Sequence, residues 1–80
     1  MIEEERIGIK LKEAGKYSEA IKYFEDAIDI YKQDKNWRHA SLVCGEVYNI
    51  YYKLNKGKKA KEYLNLSVGY HMKYIDELRE

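Results

Sequence analysis

Residues 14–31, AGKYSEAIKYFEDAIDIY, decide how this chain is read. From Ala20 onward the apolar positions are Ala20, Ile21, Tyr23, Phe24, Ala27, Ile28, Ile30 and Tyr31. At about 100° per residue they cover roughly half the circumference of an α-helix. So wide an arc predicts a helix packed between two neighbours rather than resting on a single surface. Gly15 offers the positive-φ residue that closes a preceding helix. Ser18 is the expected N-cap, its hydroxyl accepting a backbone N–H that has no intrahelical partner. The segment pairs no nucleophile with a base, so it reads as scaffold.

The same periodicity extends outward in both directions. A first helix is expected from Ile2 to Glu13, with Ile7, Leu11 and Ala14 on one face. A third is expected after Asn36, another good N-cap, as far as about Leu54. Its main stripe is Ala40, Val43, Cys44, Val47, Tyr48, Ile50, Tyr51 and Leu54, with Trp37 near one edge. A fourth is expected from about Lys58 to Leu78. Gly15, the Asp34–Asn36 region and Gly57 punctuate the chain, and no segment alternates with period two. The fold class is therefore all-α. Short connections make sequential helices antiparallel neighbours, which predicts one domain, 1–80, of two stacked antiparallel helical hairpins at about 2–33 and 37–79.

Composition narrows the function classes. The chain has 80 residues, 45% hydrophobic and 36% charged, with no proline. A domain this small buries only about 60–65% of the surface its unfolded chain exposes, so self-association is a natural source of added stability. Cys44 is the only cysteine, which rules out an intrachain disulfide and suits a reducing, cytoplasmic setting. The net charge of +1 gives no bulk attraction to nucleic acid or to acidic membranes. No apolar run approaches the ~18 residues of a membrane span, and the opening MIEEERIGIK has neither the basic start nor the apolar core of a signal peptide.

The inventory for chemistry is poor. His39 and Cys44 share a helix but diverge by about 140°, so His39 reads as a surface or groove residue and Cys44 as core. His71 is expected along the buried side of the last helix. No His-x-x-x-His, Glu-x-x-His or Cys-x-x-Cys spacing occurs, so no metal or other cofactor is expected. Glu3, Glu4 and Glu5 suit a helix N-terminus. Lys56, Lys58, Lys59 and Lys61 form a solvated turn and first helical turn. Of the nine tyrosines, Tyr23, Tyr31, Tyr48 and Tyr51 fall on core stripes, which speaks against base stacking. The expectation is a non-enzymatic protein.

Self-similarity carries the reading further. Gly8 and Gly45, like Leu11 and Tyr48, stand 37 residues apart. Ala20 and Ala60, Phe24 and Leu64, and Ala27 and Ser67 stand 40 apart, which implies about three extra residues near the second hairpin's turn. At Gly8, Gly15, Tyr17, Ala20, Phe24 and Ala27 the chain resembles the tetratricopeptide repeat family over one full repeat. Gly45, Tyr48 and Ala60 continue the likeness, with Leu64 and Ser67 where an aromatic residue and alanine are usual and without the closing proline. Residues 31–64 are also similar to the longer helical hairpins of the soluble attachment proteins of vesicle fusion.

The resemblance implies a right-handed stack of hairpins whose first helices line a concave, peptide-binding face. Carried over position by position, that face is Ile2, Glu5, Ile9 and Lys12, then His39, Leu42, Glu46 and Asn49. Periodicity agrees: Ile2 and Ile9 lie opposite Ile7 and Leu11, and Leu42 sits about 80° or more off its helix's stripe. Glu5 and Ile9 stand where the family's carboxylate clamp has lysine and asparagine, so a chaperone-tail receptor is not expected.

The last helix has too much apolar surface for one packing face. Ala60, Leu64, Val68, His71, Ile75 and Leu78 form one stripe, and Tyr63, Leu66, Tyr70 and Tyr74 another. With Met72 they span about 240°, where the end of a solenoid is normally polar. Leu64, Val68 and Ile75 are expected to pack inward, leaving the Tyr63, Leu66, Tyr70 and Tyr74 edge for another chain, most simply in a symmetric homodimer. The functional expectation is a protein–protein interaction module that takes a peptide or helix on its concave face, self-associates through its last helix, or both. The alternative is a structural homo-oligomer with no separate ligand.

Overall fold

The computed structural model describes residues 1–79. It contains four helices, α1 (Glu3–Glu13), α2 (Tyr17–Gln33), α3 (Trp37–Lys53) and α4 (Gly57–Arg79), and no strand among the described residues. The chain is all-α. Neighbours in sequence are neighbours in space: α1 packs on α2, α2 on α3 and α3 on α4. The result is a slab of 40 × 27 × 15 Å.

All three turns have the same construction. Gly15, Lys35 and Asn55 take positive φ, at 77°, 55° and 63°. The N–H of the next residue reaches back to a helix carbonyl, as in Lys16 to Leu11, Asn36 to Tyr31 and Lys56 to Tyr51 at 2.8–2.9 Å. This is the Schellman closure of a helix C-terminus. Five residues after each positive-φ position comes a buried alanine: Ala20, Ala40 and Ala60. The chain therefore repeats every 20 residues, one turn and one helix at a time. Only Gly15 of the three turn residues is glycine, which masked that period in the sequence.

One expectation about the helix ends is corrected. Ser18 does not cap α2: it lies inside the helix, which begins at Tyr17 after Lys16 with no side-chain cap. α4 begins at Gly57, and Asn55 makes the turn before it. Asn36 does cap α3, its Oδ1 accepting the His39 N–H at 3.3 Å.

The core lies between α2 and α3. Phe24, Ile50, Val43, Val47 and Cys44 are its largest fully buried side chains, joined by Ala20, Ala27, Ala40, Ile21, Ile28 and Tyr31. Full burial of each large aliphatic or aromatic side chain contributes about 1.5–3 kcal/mol. On α1 only Glu5 and Gly8 are buried; Ile7 and Leu11 are half-buried and Ala14 is exposed. Tyr23, expected on a core stripe, is also exposed.

Small residues set where the helices cross. A Cβ on Gly8 would lie 2.7 Å from the Phe24 ring, so α1 and α2 approach as closely as the ring permits. In the α3–α4 pair the corresponding contact is Gly45 against Ser67, at 4.0 Å from a Cβ to the hydroxyl. Gly8 and Phe24 stand seven and nine residues from Gly15, whereas Gly45 and Ser67 stand ten and twelve from Asn55. The second pair crosses one helical turn farther from its connection. The three extra residues expected near that turn lie in α3 between Gly45 and Asn55, because the turns themselves are alike.

Candidate functional site

Two surfaces merit attention, the α1–α3 face and the outer side of α4. On the first, several of the expected residues are paired internally. Lys12 Nζ meets Glu46 Oε2 at 2.5 Å, tying α1 to α3. Glu5 is buried, and its carboxyl accepts the Tyr31 hydroxyl at 2.5 Å. That same hydroxyl accepts the Ile2 N–H at 3.3 Å. Burial, followed by the Glu5 contact, raises the Tyr31 pKa above the ordinary phenol value. His39 is half-buried and stacks on Tyr31 at 5.1 Å between ring centroids.

What remains open on this face is mostly apolar or neutral. Leu42 is 56% exposed, Asn49 is exposed, and Ile2 and Ile9 are half-buried against the core. Lys12 and Asn49 also edge a concavity of about 280 Å³ completed by Tyr17, Ile50, Tyr52 and Lys53.

The last helix reverses the expected orientation. Ala60, Tyr63, Ser67, Tyr70 and Tyr74 form the side turned toward α3, and Leu64, Val68 and His71 are exposed. Ser41 and Ser67 fix that choice. Each hydroxyl donates to the other residue's backbone carbonyl, at 2.8 and 2.9 Å, and the two hydroxyls are 3.2 Å apart. With Ser67 held against Ser41 and Gly45, positions 63, 70 and 74 must share its face. Tyr63 then packs on Tyr51 at 5.8 Å between centroids, and Tyr70 stacks on Trp37 at 5.7 Å. Tyr63 also donates to Glu25 of α2 at 3.1 Å. Its pKa is raised by burial first and then by the Glu25 charge.

Of the expected interface edge, Tyr63 and Tyr70 are thus half-buried in internal packing, Tyr74 is half-buried, and Leu66 remains exposed. The aliphatic stripe expected inside lies outside. Leu64, Val68, Met72 and Leu78 are 44–65% exposed, and Ile75 is half-buried. Tyr70 meets Trp37, the first residue of α3, so the end of α4 beyond it has little of α3 beneath it, which accounts for Leu78. Sequence reasoning missed this because hydropathy ranks leucine and valine above tyrosine. The available signal was Ser67, a small residue at the helix crossing with tyrosines at i−4, i+3 and i+7.

Cys44 is fully buried, and burial pushes its thiol up to about 11. No group of three or more His, Cys, Asp or Glu is placed to hold a metal ion among the described residues. No helix among them is long and apolar enough to cross a membrane. No family model, curated protein or solved structure matches the chain.

Proposed function

We propose that this chain is a non-enzymatic protein–protein interaction module of the tetratricopeptide-like kind, and that the open flank of α4 is its principal docking surface. The carrying observation is that α4 turns its tyrosines inward while leaving Leu64, Val68 and Met72 in solvent. Contiguous apolar stripes of this sort mark interaction sites on soluble proteins. The partner is a protein helix, because a straight stripe at three- and four-residue spacing matches the apolar stripe of another helix. The contact of Gly8 with Phe24, and Ala20 buried at its motif position, support the tetratricopeptide-like reading. The buried, unpaired Cys44 supports a reducing, cytoplasmic setting.

A second reading, a peptide bound on the α1–α3 face, is favoured by the exposure of Leu42 beside Asn49 and the half-buried Ile9. Photo-crosslinking in producing cells separates the two. A benzophenone side chain at position 68 is expected to give discrete protein adducts, and one at exposed position 22 on α2 none. Adducts from position 42 alone would move the site to the α1–α3 face. Absence of adducts from both 68 and 42 would end the interaction reading.

A further inference from the structure

The net charge of +1 conceals a segregation that the topology creates. The α1–α2 and α3–α4 turns lie at the same end of the slab, since Lys12 and Tyr17 edge the same concavity as Asn49 and Lys53. The segments that meet there, 10–19 and 46–62, carry eight lysines against four glutamates, and the rest of the chain is net negative. Two of the four glutamates are already engaged, Glu46 by Lys12 and Glu62 by Lys59. A distribution this one-sided raises the local concentration of small anions at that end.

The concavity there, of about 280 Å³, is edged by Lys12, Tyr17, Asn49, Tyr52 and Lys53, with buried Ile50. Each of the five polar side chains carries a hydrogen-bond donor, and none is a carboxylate. Concavities elsewhere on the slab include carboxylates, Glu62 beside Gly69, and Asp34 with Glu77 beside Trp37. Lys53 is exposed and has no ion-pair partner among the described residues. Lys12 gives one of its three donors to Glu46, at 2.5 Å, and keeps two.

We propose that this concavity binds a single phosphate monoester group through the Lys12 and Lys53 ammonium groups, with Asn49, Tyr17 and Tyr52 completing its hydrogen bonds. Lysine serves phosphate as a point charge. A phosphate offers more acceptor oxygens than the two of a carboxylate, and five donor groups edge the site. Its volume falls just below the usual range for whole ligands, about 300–1,000 Å³. It therefore takes the phosphate and the first atoms of its carrier. One socket suits one phosphate rather than the continuous backbone of a nucleic acid. A soluble phosphate ester and a phospholipid headgroup both supply that group. The proposal does not rest on the docking surface of α4 and stands or falls apart from it.

Amide shifts of the 15N-labelled chain, titrated with inorganic phosphate against chloride at equal ionic strength, test the proposal. Saturable shifts are expected at Tyr17, Asn49 and Lys53 in the millimolar range, with none at Lys32 or Lys73 on the far side of the chain's charge distribution. Lys53→Gln alters an exposed side chain and is expected to weaken binding about threefold. Glu46→Gln removes the charge that competes for Lys12 and is expected to tighten binding by about the same factor, with unchanged helical circular dichroism. Lys32→Gln is expected to change nothing. Phosphatidylcholine vesicles containing phosphatidylinositol 4-phosphate separate the two sources. Flotation with the vesicles that Lys53→Gln weakens assigns a lipid headgroup, and phosphate binding without flotation assigns a soluble ester. The absence of saturable shifts, shifts that chloride alone reproduces, or a midpoint that Lys53→Gln leaves in place overturns the proposal.

Discussion

Helices α2 and α4 carry comparably rich apolar arcs and meet different fates. α2 buries Ala20, Ile21, Phe24, Ala27, Ile28 and Tyr31, because α1 lies on one side of it and α3 on the other. α4, although six residues longer, buries only Ala60. Its one extensive neighbour is α3, with Tyr63 and Tyr70 reaching Glu25 and Lys32 at the edge of α2. The width of an apolar arc thus reports how many neighbours a helix is built for. By that measure α2 has its full set, whereas α4 has one extensive neighbour.

The largest effect expected from this contrast is in the core. Phe24→Ala is expected to cost about 3–5 kcal/mol, the usual range for removing a buried ring. Val68→Ala, on the open flank of α4, is expected to stay within about 0.5 kcal/mol in protein dilute enough to be monomeric. Urea unfolding of the two variants measures both. Comparable losses would mean that Val68 is covered within the monomer, and the contrast between the helices would fail.

What could be read from the sequence follows the same division. Every residue that α2 buries lies on the arc drawn from periodicity, because helical spacing alone identifies the inward side when nearly the whole arc is used. For α4 periodicity offered two stripes, and choosing between them required knowing what α3 presents. There Ser41 and Gly45 leave space for Ser67, while Trp37 and Tyr51 offer rings to Tyr70 and Tyr63. That choice is tertiary, and hydropathy points the wrong way. The α1–α3 face shows a similar limit. The Lys12–Glu46 and Glu5–Tyr31 pairings depend on the register between helices, which no single helix encodes.

The next effect concerns a titratable group inside the covered region. Cys44 is buried as a neutral thiol, and its pKa rises from 9.0 to about 11. A pKa raised in the folded state means that the unfolded chain releases its proton first. The thiol's contribution is therefore intact below about pH 9 and is lost as pH climbs toward 11, by about 2–3 kcal/mol. Relative to Cys44→Ala, the wild type is expected to lose that margin across the window, as measured by urea midpoints at pH 8 and 11. A margin that stays constant would mean the thiol is not held neutral by burial. At neutral pH the same burial predicts slow reaction with thiol reagents.

A smaller effect tests the α1–α2 crossing. Glycine to alanine within a helix ordinarily stabilises by about 0.5–1 kcal/mol. At Gly8 the added Cβ would sit 2.7 Å from the ring of fully buried Phe24. Overpacking costs about 1–3 kcal/mol, so Gly8→Ala is expected to be destabilising on balance, by about 1–2 kcal/mol in thermal or urea unfolding. A stabilised variant would show that the ring can move and that the crossing is loose.

The smallest effect has the opposite sign and is the most direct probe of openness on α4. Gly69 lies at the middle of that helix, beside a concavity of about 530 Å³ edged by Leu66 and Tyr70, with nothing within 4 Å of an added Cβ. The helical propensity gain of about 0.5–1 kcal/mol is then unopposed, and Gly69→Ala is expected to raise the urea midpoint modestly. The comparison with Gly8 is informative because the two substitutions are chemically identical and both fall within helices. Only the neighbour differs, a ring on α1's inner side and solvent on α4's outer side. Destabilisation at Gly69 that grows with protein concentration would place an associating chain over this part of α4. Destabilisation independent of concentration would mean that α4 is covered within the monomer.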